Sequence, residues 1–232
     1  MHLDPLRVEL RPAPGEPAVA AWRRTPVTQL TAHLTSLAGR PGLAERTRII
    51  AVDGRSGGGK STLAARLVDH LPGAVHIGTD DFAWHAPMFA WSPLVLEGLV
   101  APLAAGRDVH YRPPAWDAHE RAGAIDVPAA TTFVVLEGVG AACRELADVV
   151  DAVVWVQSDA AEAERRGIAR DIAHGGNGDE VASIAFWHDW MAAELAYQDA
   201  QRPWTRADVI VAGTRPEGDV DGDVLWVLGP LR

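Results

Sequence analysis

Along this chain, short apolar runs alternate with longer stretches in which apolar residues return every third or fourth position. Arg48-Ile49-Ile50-Ala51-Val52-Asp53 is short, β-branched and followed by glycine, which predicts a buried strand. Residues 74–78, 131–136, 151–157, 207–211 and 224–228 predict further strands by the same pattern. Helical spacing appears at 28–37, where Leu30, Leu34 and Leu37 share a face, and at 60–71, where Leu63, Leu67 and Leu71 do. Gly39-Arg40-Pro41-Gly42 and Pro72-Gly73 stop these two helices. Residues 93–105, 141–147, 160–173 and 180–200 read as helices as well. Strands that alternate with helices imply an α/β fold, a mostly parallel sheet with helices on both faces. Pro5, Pro12, Pro14, Gly15 and Pro17 oppose a helix in residues 1–21, so an extended or partly ordered leader with little chemistry is expected there.

Composition narrows this picture without redirecting it. At 232 residues the chain can bury a core unaided, and the simplest reading is a single domain over residues 1–232. A net charge of −10 argues against a broad DNA- or RNA-binding face, which needs clustered Lys and Arg. No apolar run approaches the length of a membrane helix, and Asp4, Arg7, Glu9 and Arg11 interrupt any secretory signal, so a cytoplasmic protein without membrane or nucleic-acid partners is expected. The lone Cys143 cannot form an intramolecular disulfide, and packing is its expected role.

The chemistry begins directly after the strand at 48–53. Gly54-Arg55-Ser56-Gly57-Gly58-Gly59-Lys60-Ser61 satisfies G-x-x-x-x-G-K-[ST], with Thr62 following, between a strand and a helix as that motif requires. Glycines let the backbone approach phosphates, whose charge is met by main-chain N–H groups and the positive end of the helix. Lys60 is placed to reach the β and γ phosphates, Ser61 to ligate Mg²⁺, and Thr62 to touch the α phosphate. The expected cofactors are therefore ATP and Mg²⁺, in a P-loop NTPase fold. Two carboxylate segments end strands nearby in sequence. Asp80 and Asp81 follow the strand at 74–78, where one can face the γ phosphate and the other cap a turn. Glu137, before Gly138, closes the strand at 131–136 in the manner of an acid that orients Mg²⁺ or its water shell.

Taken together, residues 50–62, Asp80-Asp81-Phe82 and Val135-Leu136-Glu137-Gly138 resemble the uridine kinase family, a group that also takes in phosphoribulokinase, the bacterial P-loop pantothenate kinase and nicotinamide riboside kinase. The resemblance runs from about Arg48 to Thr214. It implies that Asp80 accepts the proton of the substrate hydroxyl and that Glu137 attends Mg²⁺. It also implies a small helical lid at about 160–200, since Arg165-Arg166-Gly167-Ile168-Ala169-Arg170-Asp171 is similar to the family's Arg-Arg-x-x-Arg-Asp; Arg166 and Arg170 share a helix face and can swing onto the triphosphate. His174-Gly175-Gly176-Asn177-Gly178 departs from the family's basic lid stretch.

For the acceptor, the family's Tyr-Asp-x-x-x-His-x-Arg stretch is kept here at His119 and Arg121 but has Pro114 and Ala115 in place of Tyr and Asp. Candidate substrate contacts are Asp80, His85, Trp91, Tyr111, Arg112, Trp116, His119 and Arg121, because a flat indole can stack on a base or sugar while the others supply polar contacts. The expected activity is ATP-dependent transfer of a phosphoryl group to a hydroxyl of a small, nucleoside-like molecule. A non-nucleoside alcohol as acceptor, a nucleotide-binding switch without acceptor, and self-association into a homo-oligomer all stay open.

Overall fold

The β-branched runs pair side by side because each is apolar on both faces and has to bury both. The computed structural model describes residues 7–39, 46–84, 86–215 and 222–232. In chain order its strands and helices are β1 (Arg23–Pro26), α1 (Val27–Ala38), β2 (Arg48–Gly54), α2 (Lys60–His70), β3 (Ala74–Gly78), α3 (Thr79–Ala83), α4 (Ser92–Val95), α5 (Ala101–Ala104), β4 (Val109–Tyr111), α6 (Pro114–Ala118), β5 (Ile125–Val127), β6 (Phe133–Glu137), β7 (Ala152–Gln157), α7 (Ala160–His174), α8 (Glu180–Gln201), β8 (Val209–Ala212) and β9 (Asp223–Leu228). Seven strands form one sheet in the order β1-β9-β8-β7-β2-β6-β3. The five from β8 to β3 run parallel, while β9 and β1 close one edge antiparallel. This is the P-loop NTPase fold. Among the described residues no helix is long and apolar enough to cross a membrane.

Each face of the sheet carries its own core. Ile50, Val52, Val135, Val154 and Val209 point to the side covered by Leu30 and Leu34 of α1 and by Leu63 and Leu67 of α2. Ile49, Ala51, Val134 and Leu136 point the other way, toward Phe82, Val95, Leu99 and Trp116. Further along that second face, Trp155, Ile210 and Leu225 are covered by Leu10, Val19 and Trp22 of the leader. The described part of the leader is thus packed rather than a free arm: its prolines forbid a helix, but the apolar residues between them still bury.

Two further expectations change, and one element was not anticipated. The helix expected at 93–105 is interrupted by a π turn at Leu96–Val100. Pro102 has no N–H to give Gly98 and its ring crowds that carbonyl, so the wider turn relieves the clash. The helix expected at 141–147 is only a 3₁₀ turn at Arg144–Leu146, because its first residues are spent on contacts made by Asp53. The hairpin β4–β5, with its three-residue strands, has too short a pattern to read in advance.

Helices α7 and α8 pack as an antiparallel-type pair through a glycine. A methyl group added at Gly167 would lie 1.9 Å from Cζ3 of Trp187, a side chain only 2% exposed. Gly167→Ala is therefore expected to lower the unfolding free energy by about 2 kcal/mol despite alanine's better helix propensity, because overpacking outweighs it. Urea denaturation of the two proteins measures the difference.

Candidate active site

Parallel pairing brings the C-terminal ends of β2, β6 and β3 to one edge, with Val52 opposite Glu137 and Gly78 opposite Glu137 on its other side. Ligands of open α/β sheets bind at that edge. The glycine loop leaves β2 there and enters α2, whose N-cap is Gly59 at φ 93°, a left-handed conformation that disfavours side chains. The first amides of α2, from Lys60 to Thr62, have no partner inside the helix and face the loop. Ser61 and Thr62 are exposed at this end, open to a ligand.

Lys60 is buried, and its ammonium group donates to the carbonyl oxygen of Arg55 at 2.9 Å. Beside it, Ser61 lies close enough to Glu137 to stabilise its charge, and the Glu137 carboxylate also meets Nε2 of His76 at 3.3 Å. Burial raises the pKa of Glu137, but His76, Lys60 and Ser61 together outweigh burial and hold it below the usual glutamate value. An ionised carboxylate next to a helix-terminal hydroxyl suits a hard divalent cation brought by phosphates.

Asp80 joins this cluster from the first turn of α3. Gly138 makes the approach possible, since a methyl there would lie 1.7 Å from Oγ1 of Thr79. The Asp80 side chain is exposed to solvent, yet protein crowds its carboxylate. That crowding pushes its pKa upward, Lys60 and Arg170 pull it down, and Glu137 and Asp81 push it up again; the net direction is upward. Neither Asp80 nor Asp81 caps α3 with its side chain. Asp81 instead receives Arg121 at 2.5 Å.

The two arginines of α7, Arg166 and Arg170, are each held by a neighbouring carboxylate. Arg166 donates to Glu162 and to the carbonyl of Gly213, the residue that abuts Gly58 of the loop. Arg170 acts on Asp80 through its charge while hydrogen-bonding Asp171. Helix α7 lies directly on the phosphate loop: a methyl on Gly57 would be 2.0 Å from the carbonyl oxygen of Ala163. Lys60, Ser61, Glu137, Asp80 and Arg170 therefore lie within electrostatic reach of one another, and Arg166 stands beside the loop at Gly213.

Other expected contacts are spent elsewhere. Arg55 turns its guanidinium into the interior, where Nε pairs with Glu16 at 3.3 Å. Ser56 gives its N–H to Glu194 and accepts a bond on its hydroxyl from Trp190, both on α8. The Gly54 amide goes to Asp53 at 2.7 Å. The cradle thus narrows to Gly57, Gly58, Gly59, Lys60, Ser61 and Thr62. Of the acceptor candidates, Trp91 is buried among Gly140 and the second-face core. Tyr111 is stacked on Phe82 at 6.0 Å and fills the space left by Gly98. Arg112 is tied to Asp117, to the carbonyl of Arg121 and to that of Gly123, and so shapes its own loop. Trp116 is buried, donates to the Asp81 carbonyl and has Arg121 over its face at 3.7 Å. His119 stands edge-on to Trp84 at 5.5 Å, leaving it and Arg121 at the rim near Asp81. His85 lies outside the described residues.

Three site residues had no sequence signal of their own. His76 and Glu194 look like ordinary polar positions in a strand and a helix. Asp53 closes a strand and reads as part of the motif's approach, yet its buried carboxylate accepts the amides of Gly54, Gly140 and Ala142 at 2.7, 3.0 and 3.0 Å.

No protein-family profile matches the chain, and no curated protein matches it. Solved structures do resemble it. One is a provisionally named fructose transport system kinase from Silicibacter sp. TM1040, with a TM-score of 0.50 and 21% identity, covering 69% of this chain and 87% of that one. Another is the YGR205w protein, with a TM-score of 0.53 and 11% identity, covering 81% and 93% of the two chains. At these identities what is shared is the fold.

Burial lifts the pKa of Asp53 to about 6 from 3.8, against the pull of its three amides and of Lys60. The folded chain then holds this proton more tightly than the unfolded one, so the contribution favours folding below pH ~4 and is lost as pH rises through about 6. Measured against Asp53→Asn, the unfolding free energy of the wild type is expected to fall by about 3 kcal/mol across that window. Guanidinium titrations of both proteins at several pH values check this.

Proposed function

We propose that the chain is an ATP-dependent kinase that moves the γ-phosphoryl group to a hydroxyl of a small molecule. The observation that carries the reading is Asp80: a carboxylate with an upward-shifted pKa, within electrostatic reach of Lys60 and Glu137 at the sheet edge where the glycine loop enters α2. A switch that merely binds nucleotide has no use for a base there.

Each side chain then has a task. Gly57 to Thr62 hold the triphosphate through main-chain amides and the positive helix end. Lys60 exchanges the Arg55 carbonyl for the β and γ phosphates. Ser61 and Glu137 would hold the Mg²⁺ ion, which supplies charge neutralisation across those phosphates when bound. Asp80 takes the proton of the acceptor hydroxyl as it attacks the γ phosphorus, and the bond to the β-phosphate oxygen breaks to release ADP. Arg166 and Arg170 leave Glu162 and Asp171 to meet the charge on the moving group, and α7 keeps water out.

Of the two acceptor classes, the non-nucleoside alcohol is better supported. Two of the indoles available for stacking on a base, Trp91 and Trp116, are buried, and Arg121 occupies the face of the second. Polar groups at the rim, His119 and Arg121, suit a hydroxylated molecule such as a sugar. The structural neighbour named for fructose transport points the same way as a first compound to try.

A coupled ADP-release assay against sugars, nucleosides, pantothenate and aminoglycoside-like alcohols tests the reading. Acceptor-stimulated turnover is expected, and Asp80→Asn should lower kcat by about 10²–10⁴-fold with ATP binding retained. The acid limb of the wild-type rate profile should lie above the ordinary aspartate value of 3.8. Tight nucleotide binding without any acceptor-stimulated ADP release, or full activity of Asp80→Asn, would reject it.

A further inference from the structure

We infer that the proline-rich leader is a working part of the phosphate site, in which Glu16 is a positioning residue that sets the shape of the glycine loop through Arg55. This rests on the reading of Gly57 to Thr62 as a triphosphate cradle.

Glu16 is buried beneath the loop, with a side chain 1% exposed. One carboxylate oxygen accepts the indole N–H of Trp155 at 2.6 Å and the amide of Gln157 at 2.8 Å; the other accepts Nε of Arg55 at 3.3 Å. Gln157 also grips the leader just after that point, taking the amide of Val19 and giving its own N–H to the carbonyl of Pro17. Further back, the leader meets the first turn of α7: Arg11 donates its amide to Asp159 and accepts the amide of Ala160. Glu16 is therefore held at both ends of the segment that presents it, and its place is fixed by β7 rather than by the loop it touches.

Arg55 is the joint between this fixed carboxylate and the cradle. Its guanidinium is 4% exposed, and among the described residues Glu16 is the carboxylate that pairs with it. Its Nη1 is buried without a hydrogen-bond partner, so the pair has no spare contacts to fall back on. A buried guanidinium that loses its carboxylate must move or draw water in. Any such movement shifts the backbone of residue 55, and its carbonyl oxygen is the one that receives both the amide of Gly58 at 3.0 Å and the ammonium of Lys60 at 2.9 Å. Glu16 thus acts on the two groups that define the cradle without touching the ligand.

The test uses the full chain and four proteins: wild type, Glu16→Gln, Leu10→Ala, and Glu16→Gln with Arg55→Gln. Leu10 is buried in the same leader but makes no contact with Arg55, so its truncation controls for loosening of the leader alone. The dissociation constant for ATP is read by titration calorimetry, the melting temperature by calorimetry, and amide exchange over residues 54–62 by mass spectrometry without nucleotide. Glu16→Gln is expected to weaken ATP binding tenfold or more and to speed exchange in the loop. Leu10→Ala should lower the melting temperature while leaving the affinity within twofold, and the double variant, which removes both buried charges, should recover most of the affinity. Unchanged or tighter binding by Glu16→Gln, or equal weakening by Leu10→Ala at the same loss of melting temperature, overturns the proposal. Should Glu16→Gln fail to fold, Glu16→Asp keeps the charge but withdraws it by one methylene, and unchanged loop exchange in that variant overturns the proposal as well. A wild type that binds no ATP sinks the kinase reading instead, and the exchange data, taken without nucleotide, still decide the role of Glu16.

Discussion

The carboxylate of Asp53 collects amides from two separate pieces of chain, Gly54 at the mouth of the phosphate loop and Gly140 and Ala142 in the segment after β6. Backbone N–H groups buried at strand ends must find acceptors, and neither segment can supply them in the conformation it adopts. One side chain answers both needs, so the loop that holds phosphates and the strand that carries Glu137 share a fixed point. Without that point, parallel pairing would still bring β2 and β6 together but would leave their ends free to drift apart. On the proposed kinase reading, the separation between the phosphates that Lys60 would meet and the ion that Glu137 would attend is set here.

Carboxylates govern the rest of the loop too, and each is buried where its charge must be answered by donors. Glu16 answers Arg55 from below, and Glu194 answers Ser56 and Trp190 from α8. The net charge of −10 therefore says little about the site. Several of the acids that contribute to it sit inside, spent on amides, indoles and a guanidinium, while Lys60, Arg166 and Arg170 gather around the glycine loop. A triphosphate bound as proposed would meet these local positive groups on a chain that is acidic as a whole.

What could be read from the sequence was whatever depends on near neighbours. The run 48–53 had to be a strand, and the glycines after it had to be a loop, because their alternatives are excluded by local sterics. Asp80 and Glu137 were visible because acids that close strands of a parallel sheet arrive at the same edge whatever the details of packing. Arg55, Ser56, Trp91 and Trp116 were misplaced for the opposite reason: their partners, Glu16, Glu194, Gly140 and Asp81, lie far away in sequence or on another element. Nothing within a few residues of Glu194 distinguishes an acid that faces water from one that faces a loop 138 positions earlier. The leader's lack of a helix was legible, but its burial was not, because proline reports the absence of a helix and is silent about packing.

The stretch before β2 also straddles the sheet. Its first part lies on one face against Trp155 and Leu225, β1 rounds the edge beside β9, and α1 then covers the opposite face against Val154 and Val224. Such a clip grips both surfaces at once, so neither jaw can open without straining the hinge strand between them.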